Sequence, residues 1–231
     1  MRICGLQKLA MVDYPGKLAA TVFTGGCNLR CPFCHNALLV TRLNETPEIP
    51  QNEVLDFLAS RKKLLDGVVL TGGEPLLQPD TANFLRAVRT MGFAIKLDTN
   101  GCYPHRLADL LEKGLVDYVA MDIKNCREKY AETVGIPGFD ITPVEESVRI
   151  LRTSSVEYEF RTTLVRELHQ PQDMVAIGRW LEGSPNYYLQ NFEDSGNLIK
   201  SGLHGFTPLE LQDFATLSAP FFGQVSVRGV N

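Results

Sequence analysis

Two periods of apolar and polar residues alternate along this chain. Runs of four to eight residues, rich in β-branched and other apolar side chains, recur at Leu18–Phe23, Gly67–Leu70, Ala94–Asp98, Tyr118–Ile123, Glu157–Leu164 and Tyr187–Phe192. That length and composition predict strands. Between the runs, apolar residues fall at helical spacing. Asn52 opens one helix, with Val54, Leu55, Leu58 and Leu65 on a face. Pro79-Asp80 opens a second, with Phe84, Leu85 and Val88 inward and Gly92 as its stop. Pro104 opens a third, closing at Gly114, and Thr142-Pro143 with Glu145-Glu146 a fourth. Pro171–Leu181 and Pro208–Leu217 complete the set.

Six strands alternating with six helices imply parallel βαβ units, either as an open doubly wound sheet or as a barrel. In both, ligands gather at the C-terminal ends of the strands. That edge is rich in chemistry here. Gly25-Gly26-Cys27 follows the first strand, Thr71-Gly72-Gly73-Glu74 the second and Asp98-Thr99-Asn100-Gly101 the third, while Asp122 and Lys124 end the fourth. The polar stretch Thr41–Pro50 reads as a surface loop. The whole chain, 1–231, is expected to form one domain with its core at about 18–192. An N-terminal extension and a C-terminal tail would pack on that core.

Composition narrows the function. The 231 residues are enough for one sizeable core. A net charge of −4 with mixed signs, and no basic block, argues against a nucleic-acid partner. No run approaches the roughly 18 apolar residues of a membrane span, and Met1–Gly5 lacks the apolar stretch of a signal peptide. A cytoplasmic location is therefore expected, where thiols stay reduced. Three of the six cysteines crowd into Cys27–Cys34, while Cys4, Cys102 and Cys126 stand apart.

The crowded segment, Gly26-Cys27-Asn28-Leu29-Arg30-Cys31-Pro32-Phe33-Cys34-His35-Asn36, has C-x3-C-x2-C spacing. Thiolates suit zinc or iron–sulfur clusters. Zinc usually takes four ligands in two separated pairs, and His35 would have to turn back beside Cys34 to complete such a set. A [4Fe–4S] cubane on Cys27, Cys31 and Cys34 leaves one iron without a protein ligand, which is a catalytic arrangement.

With Thr71-Gly72-Gly73-Glu74-Pro75 in the same order, the chain resembles the radical S-adenosylmethionine superfamily. The resemblance implies a partial (βα)6 barrel carrying the cluster at its open end. The methionine amine and carboxylate of S-adenosylmethionine would chelate the unique iron, and one electron would release a 5′-deoxyadenosyl radical. Gly5-Leu6-Gln7-Lys8, Val12–Lys17 and Cys34-His35-Asn36 further resemble the activating proteins of anaerobic ribonucleoside-triphosphate reductase. Leu97–Gly101 and Met121–Lys124 are similar to the pyruvate formate-lyase activating enzyme.

This branch implies a glycyl radical enzyme as partner, anaerobic ribonucleotide reductase foremost, and a reductant of flavodoxin or ferredoxin type. It also implies roles for individual residues. Gly72, Gly73 and Glu74 would receive the methionine amine, with Glu74 as anionic acceptor. Phe33 and Asn36 would meet the adenosine, and Gln190 the ribose. Lys124 and Arg161 would bind the methionine carboxylate, with salt bridging among Asp98, Asp122 and Lys124 and a structural ion pair for Arg161 as the alternatives. Asp98 and Asp122 would face one another, needing a cation or proton to offset their repulsion, and with Thr99 would hold a monovalent cation. Two other readings stay open: a small-molecule substrate, as for the carboxy-deazaguanine synthases, and a cluster that only carries electrons.

Overall fold

Among the described residues, seven consecutive parallel strands and one antiparallel edge strand make up a single sheet. The computed structural model describes residues 1–229. The strands are β1 (Ile3–Ala10), β2 (Ala19–Thr24), β3 (Gly67–Gly72), β4 (Ala94–Thr99), β5 (Tyr118–Asp122), β6 (Glu157–Leu164), β7 (Ser184–Asn191) and β8 (Phe222–Arg228). Their spatial order is their chain order, β1 to β8. β1 pairs with β2 antiparallel, and every later pair is parallel. Among the described residues β1 and β8 are the two edges. The sheet is thus wound in one direction, as a barrel is, and left open at one side. Of the two arrangements the alternation allowed, the structure takes the barrel-like one.

The helices are α1 (Ala37–Thr41), α2 (Gln51–Ser60), α3 (Thr81–Thr90), α4 (Pro104–Glu112), α5 (Tyr130–Thr133), α6 (Thr142–Thr153), α7 (Pro171–Leu181) and α8 (Pro208–Ser218). Proline opens α4, α7 and α8, where its fixed φ suits the first turn and its missing N–H costs nothing. Gln170 with Asp173 and Thr207 with Glu210 form reciprocal capping boxes on α7 and α8. None of the helices among the described residues is long and apolar enough to cross a membrane.

Alternate residues of each strand point to opposite faces. Val22, Leu70, Leu97, Met121, Phe160 and Leu189 pack with the helices in one apolar core. The intervening positions are largely polar: Thr21, Thr71, Lys96, Asp98, Asp122, Glu159 and Arg161. They line the concave side instead. An ordinary parallel sheet is apolar on both faces, so a polar inner face marks a lumen for ligands rather than a second core.

The expected six strands are therefore eight among the described residues. The extension and the tail each add an edge strand. Polar residues at Gln7 and Lys8, and the glycine at Gly223, hid their strand character in the sequence. Two short helices, α1 and α5, were also unforeseen, and α2 starts at Gln51 without a side-chain cap from Asn52. The loop Thr41–Pro50 carries one helical turn, and Ile49 bridges to Ile3.

The turn between β1 and β2 closes the lower end of the lumen. Tyr14 is buried there, its ring 6.0 Å from that of Tyr118. Lys96 Nζ donates to the Asp13 carbonyl at 2.6 Å, and Thr21 Oγ1 to the Asp13 carboxylate. Replacing a buried aromatic with alanine removes its transfer energy and leaves a cavity. Tyr14→Ala is expected to lower stability by about 3 kcal/mol, read as a fall in the urea midpoint at unchanged m-value.

Candidate active site

The cysteine loop leaves β2 and is stitched by its backbone to the loop after β3. Gly73 N donates to Thr24 O and Glu74 N to Gly26 O, both at 2.8 Å. Gly26 N donates to Leu39 O at 2.7 Å, tying in α1. A Cβ on Gly73 would lie 2.0 Å from Gly26 O, and one on Gly72, where φ is +117°, 2.3 Å from Thr24 N. The two glycines thus serve a close approach between loops, as well as leaving open backbone beside the cavity.

Glu74 was expected to offer its carboxylate to a ligand. It is instead fully buried and turned into the protein. Its Oε1 accepts from Leu76 N and Thr99 Oγ1, and its Oε2 from Asn100 N at 2.7 Å. Burial pushes this carboxyl up to about 7 despite those three donors. Any ligand amine at this loop would meet the backbone of Gly72 and Gly73.

Cys27, Cys31 and Cys34 line one cavity with Phe33, Asn36 and the Gly72–Gly73 loop. All three are free thiols. Burial raises each of them, Cys27 to about 11 and Cys31 to about 12. Metal binding would therefore displace protons. Leu29 N points at Cys27 Sγ at 3.4 Å and Asn100 Nδ2 at 3.7 Å. Asn100 also donates to Asn28 Oδ1 at 2.9 Å, bracing the loop. Donors aimed at sulfur favour the thiolate. Among the described residues no three His, Cys, Asp or Glu side chains come together closely enough to hold one metal ion. Asn36 Nδ2 donates to Gly72 O at 2.9 Å, and so anchors the loops to each other. Phe33 is buried at the cavity wall, and Gln190 sits at its far rim.

Asp98 and Asp122 come together through Arg161, and both carboxylates are paired with cationic side chains. Arg161 reaches across from β6, with Nη1 3.3 Å from Asp98 and Nη2 2.9 Å from Asp122. Lys96 pairs with Asp98 at 2.8 Å and Lys124 with Asp122 at 2.9 Å. Thr99 is spent on Glu74. Three cations on two carboxylates leave net positive charge at the cavity wall, which disfavours a further cation and attracts an anion. Burial raises Asp122, but Arg161 and Lys124 outweigh it and hold the carboxyl down to about 2. Asp98 moves downward in the same way, under Arg161 and Lys96.

Lys96 and Thr163 are site residues that the sequence did not single out, and Asn28 and Asn100 stood only as members of motifs, with no role of their own. Lys96 had a signal: it lies two residues before Asp98 on one strand, hence on the same face. A second cavity shares Thr71, Asp98, Arg161 and Gln190 with the first and continues down the lumen to Gln7 on β1 and Arg228 on β8. It opens at the side of the sheet, between the edge strands.

Two outcomes follow. Gly73→Ala should cost about 2 kcal/mol through forced loop displacement, measured by thermal unfolding of the metal-free protein. Asp122 is depressed, so its stabilising contribution is complete above pH 3.8 and is lost as pH falls through about 2. Asp122→Asn should flatten the acid limb of the stability profile in that window.

The model of the radical SAM superfamily matches residues 21–178. A putative glycyl-radical enzyme activating enzyme of Methanocaldococcus jannaschii is 31% identical over 99% of this chain and 96% of its own length. A pyruvate formate-lyase-activating enzyme of Listeria monocytogenes is 27% identical over 80% of this chain and 77% of its own. A 7-carboxy-7-deazaguanine synthase of Methanopyrus kandleri is 31% identical over 77% of this chain and 74% of its own. Among solved structures, Streptococcus suis SuiB bound to S-adenosylmethionine overlays 88% of this chain with a TM-score of 0.66 at 14% identity, a likeness of fold. The chain spans about half the length of SuiB, 48%. With the fold, the cysteine-lined cavity and the family match in agreement, this chain belongs to the radical SAM superfamily.

Proposed function

We propose that this protein is a glycyl-radical-enzyme activating enzyme, holding a [4Fe–4S] cluster on Cys27, Cys31 and Cys34 and removing a hydrogen atom from a backbone glycine of its partner. Bound together, cluster and S-adenosylmethionine supply a one-electron cleavage that yields methionine and a 5′-deoxyadenosyl radical. The observation that carries this reading is the joint placement of three thiols, the Gly72–Gly73 backbone and a positively charged wall around one cavity. Three thiols in C-x3-C-x2-C spacing along one cavity are soft ligands of the kind that iron–sulfur clusters take.

The chain's own residues do the positioning. Leu29 N and Asn100 Nδ2 stabilise the Cys27 thiolate. The Gly72–Gly73 backbone receives the ligand amine. Lys124 and Arg161, with one surplus positive charge in their cluster, receive the carboxylate. Phe33 and Asn36 border the adenosine, and Gln190 stands where the cofactor cavity meets the lateral one.

A neutral peptide suits the lateral cavity better than a charged small molecule. Its cations sit in ion pairs: Lys96 with Asp98, Arg161 with both aspartates, and Arg228 bidentate with buried Glu159 at 2.9 and 3.1 Å, and the one surplus charge of the upper cluster is taken by the methionine carboxylate. A second substrate carboxylate would have to displace one of these pairs. The likeness to a 7-carboxy-7-deazaguanine synthase keeps a small-molecule substrate as the second reading. For the partner we favour anaerobic ribonucleoside-triphosphate reductase, on the Gly5–Lys8 and Val12–Lys17 motifs. A flavodoxin or ferredoxin would deliver the electron.

Anaerobically reconstituted protein, a reductant and S-adenosylmethionine should give a glycyl-radical doublet in that reductase by electron paramagnetic resonance. Deuterium from a labelled partner glycine should appear in 5′-deoxyadenosine. Cleavage of S-adenosylmethionine without either signal would point to the small molecule. Single Cys27→Ala, Cys31→Ala and Cys34→Ala variants should each lose cluster absorbance and cleavage by more than about a hundredfold.

A further inference from the structure

Lys96 is a buried cation set one step back from the cofactor cavity. It lies on β4, 2% exposed, and lines the lateral cavity but not the one lined by the cysteines. Its Nζ is 2.8 Å from Asp98 Oδ1 and donates to the Asp13 carbonyl at 2.6 Å. The other oxygen of the same carboxylate, Asp98 Oδ2, is 3.3 Å from Arg161 Nη1. Lys96 and Arg161 thus share Asp98, one oxygen each.

Two carboxylates need two positive charges for balance. Arg161, which reaches both aspartates, and Lys124 on Asp122 already supply them. Lys96 is the third. Stability alone gives little reason for it, because desolvation of a buried ion pair offsets most of its attraction. The next ions down the lumen, Glu159 and Arg228, pair with each other and add no surplus. What the third charge changes is its neighbour. With Lys96 on Asp98, Arg161 is only partly neutralised and keeps positive charge toward the cavity it lines. Without Lys96, the two carboxylates would balance Arg161 and Lys124 completely. At separations of a few ångströms in a buried site, that difference is large.

We infer that Lys96 is a positioning residue for anion recognition: by occupying Asp98 it leaves Arg161 free to receive the ligand's carboxylate, and so sets the preference of the site for a sulfonium that carries one. This inference rests on the reading of the cavity as the S-adenosylmethionine site and is independent of which partner or substrate follows. Lys96 itself touches neither the ligand nor the reacting atoms.

The test is anaerobic titration calorimetry on the cluster-loaded full chain, without reductant. It compares S-adenosylmethionine with its decarboxylated analogue, which keeps the amine and the sulfonium. Any share of the preference owed to the cluster is common to all variants, so the change in the affinity ratio isolates the lumen charge. Lys96→Gln removes the charge and keeps a donor for the Asp13 carbonyl. Lys96→Met is a second neutral variant, Lys96→Arg keeps the charge, and Thr21→Val cuts the other tie to Asp13 without changing any charge. Cluster absorbance and melting temperature identify the variants that fold. The ratio should fall about tenfold in the neutral variants, through weaker binding of S-adenosylmethionine alone, and stay within about twofold in Lys96→Arg and Thr21→Val. An unchanged ratio in the neutral variants, equal weakening of both ligands, or the same fall in Thr21→Val would overturn the inference, the last by making Lys96 a tether for the turn. A wild-type chain that does not prefer S-adenosylmethionine to its decarboxylated analogue would sink the carboxylate reading of Lys124 and Arg161, and this inference with it.

Discussion

The buried carboxylate of Glu74 is the interaction on which the site depends. It accepts from the chain just after it, at Leu76, and from Thr99 and Asn100 on the neighbouring loop, while its own N–H bonds to Gly26 of the cysteine loop. Three loops from three adjacent strands are thereby locked in one relative position. A carboxylate wholly removed from water must be met by donors, and here it has three. Glycine at 73 is the steric counterpart, since only a residue without Cβ lets the two backbones come this close. The cysteines inherit their placement from this lock rather than from contacts among themselves.

A second constraint is the polarity of the inner sheet face. Strand alternation puts aliphatic side chains under the helices and ionisable ones in the lumen. Such groups persist only as pairs, and the lumen is organised accordingly: Lys96, Asp98, Arg161, Asp122 and Lys124 in one linked cluster, Glu159 with Arg228 and Tyr118 below it. The surplus of one positive charge in the upper cluster gives the cavity wall a preference for an anion. The lower pair fastens β8 to β6 and so helps define the mouth of the lateral opening.

These two constraints work at different scales. The Glu74 lock fixes atoms near the thiols, within hydrogen-bond distances. The charged lumen sets what else can share the space: an anion is favoured only where positive charge is left over. The pinned turn at Tyr14 extends the same rigidity to the rim, where the molecule meets solvent.

Local pattern alone determined much of this. The six parallel strands and the proline-opened helices were legible because period, capping residues and turn glycines act within a few residues. The cysteine spacing and its placement after a strand were likewise legible, since both are short-range. The edge strands β1 and β8 were not, because Gln7, Lys8 and Gly223 weaken their pattern and only pairing with β2 and β7 makes them strands. The direction of Glu74 and the bridge from Arg161 to Asp98 and Asp122 were also beyond the sequence. Those partners lie 26, 63 and 39 residues away at Asn100, Asp98 and Asp122, and only closure of the sheet brings them within reach. Sequence order named the chemistry at the strand ends, whereas tertiary packing decided which of those groups face the ligand and which are spent on one another.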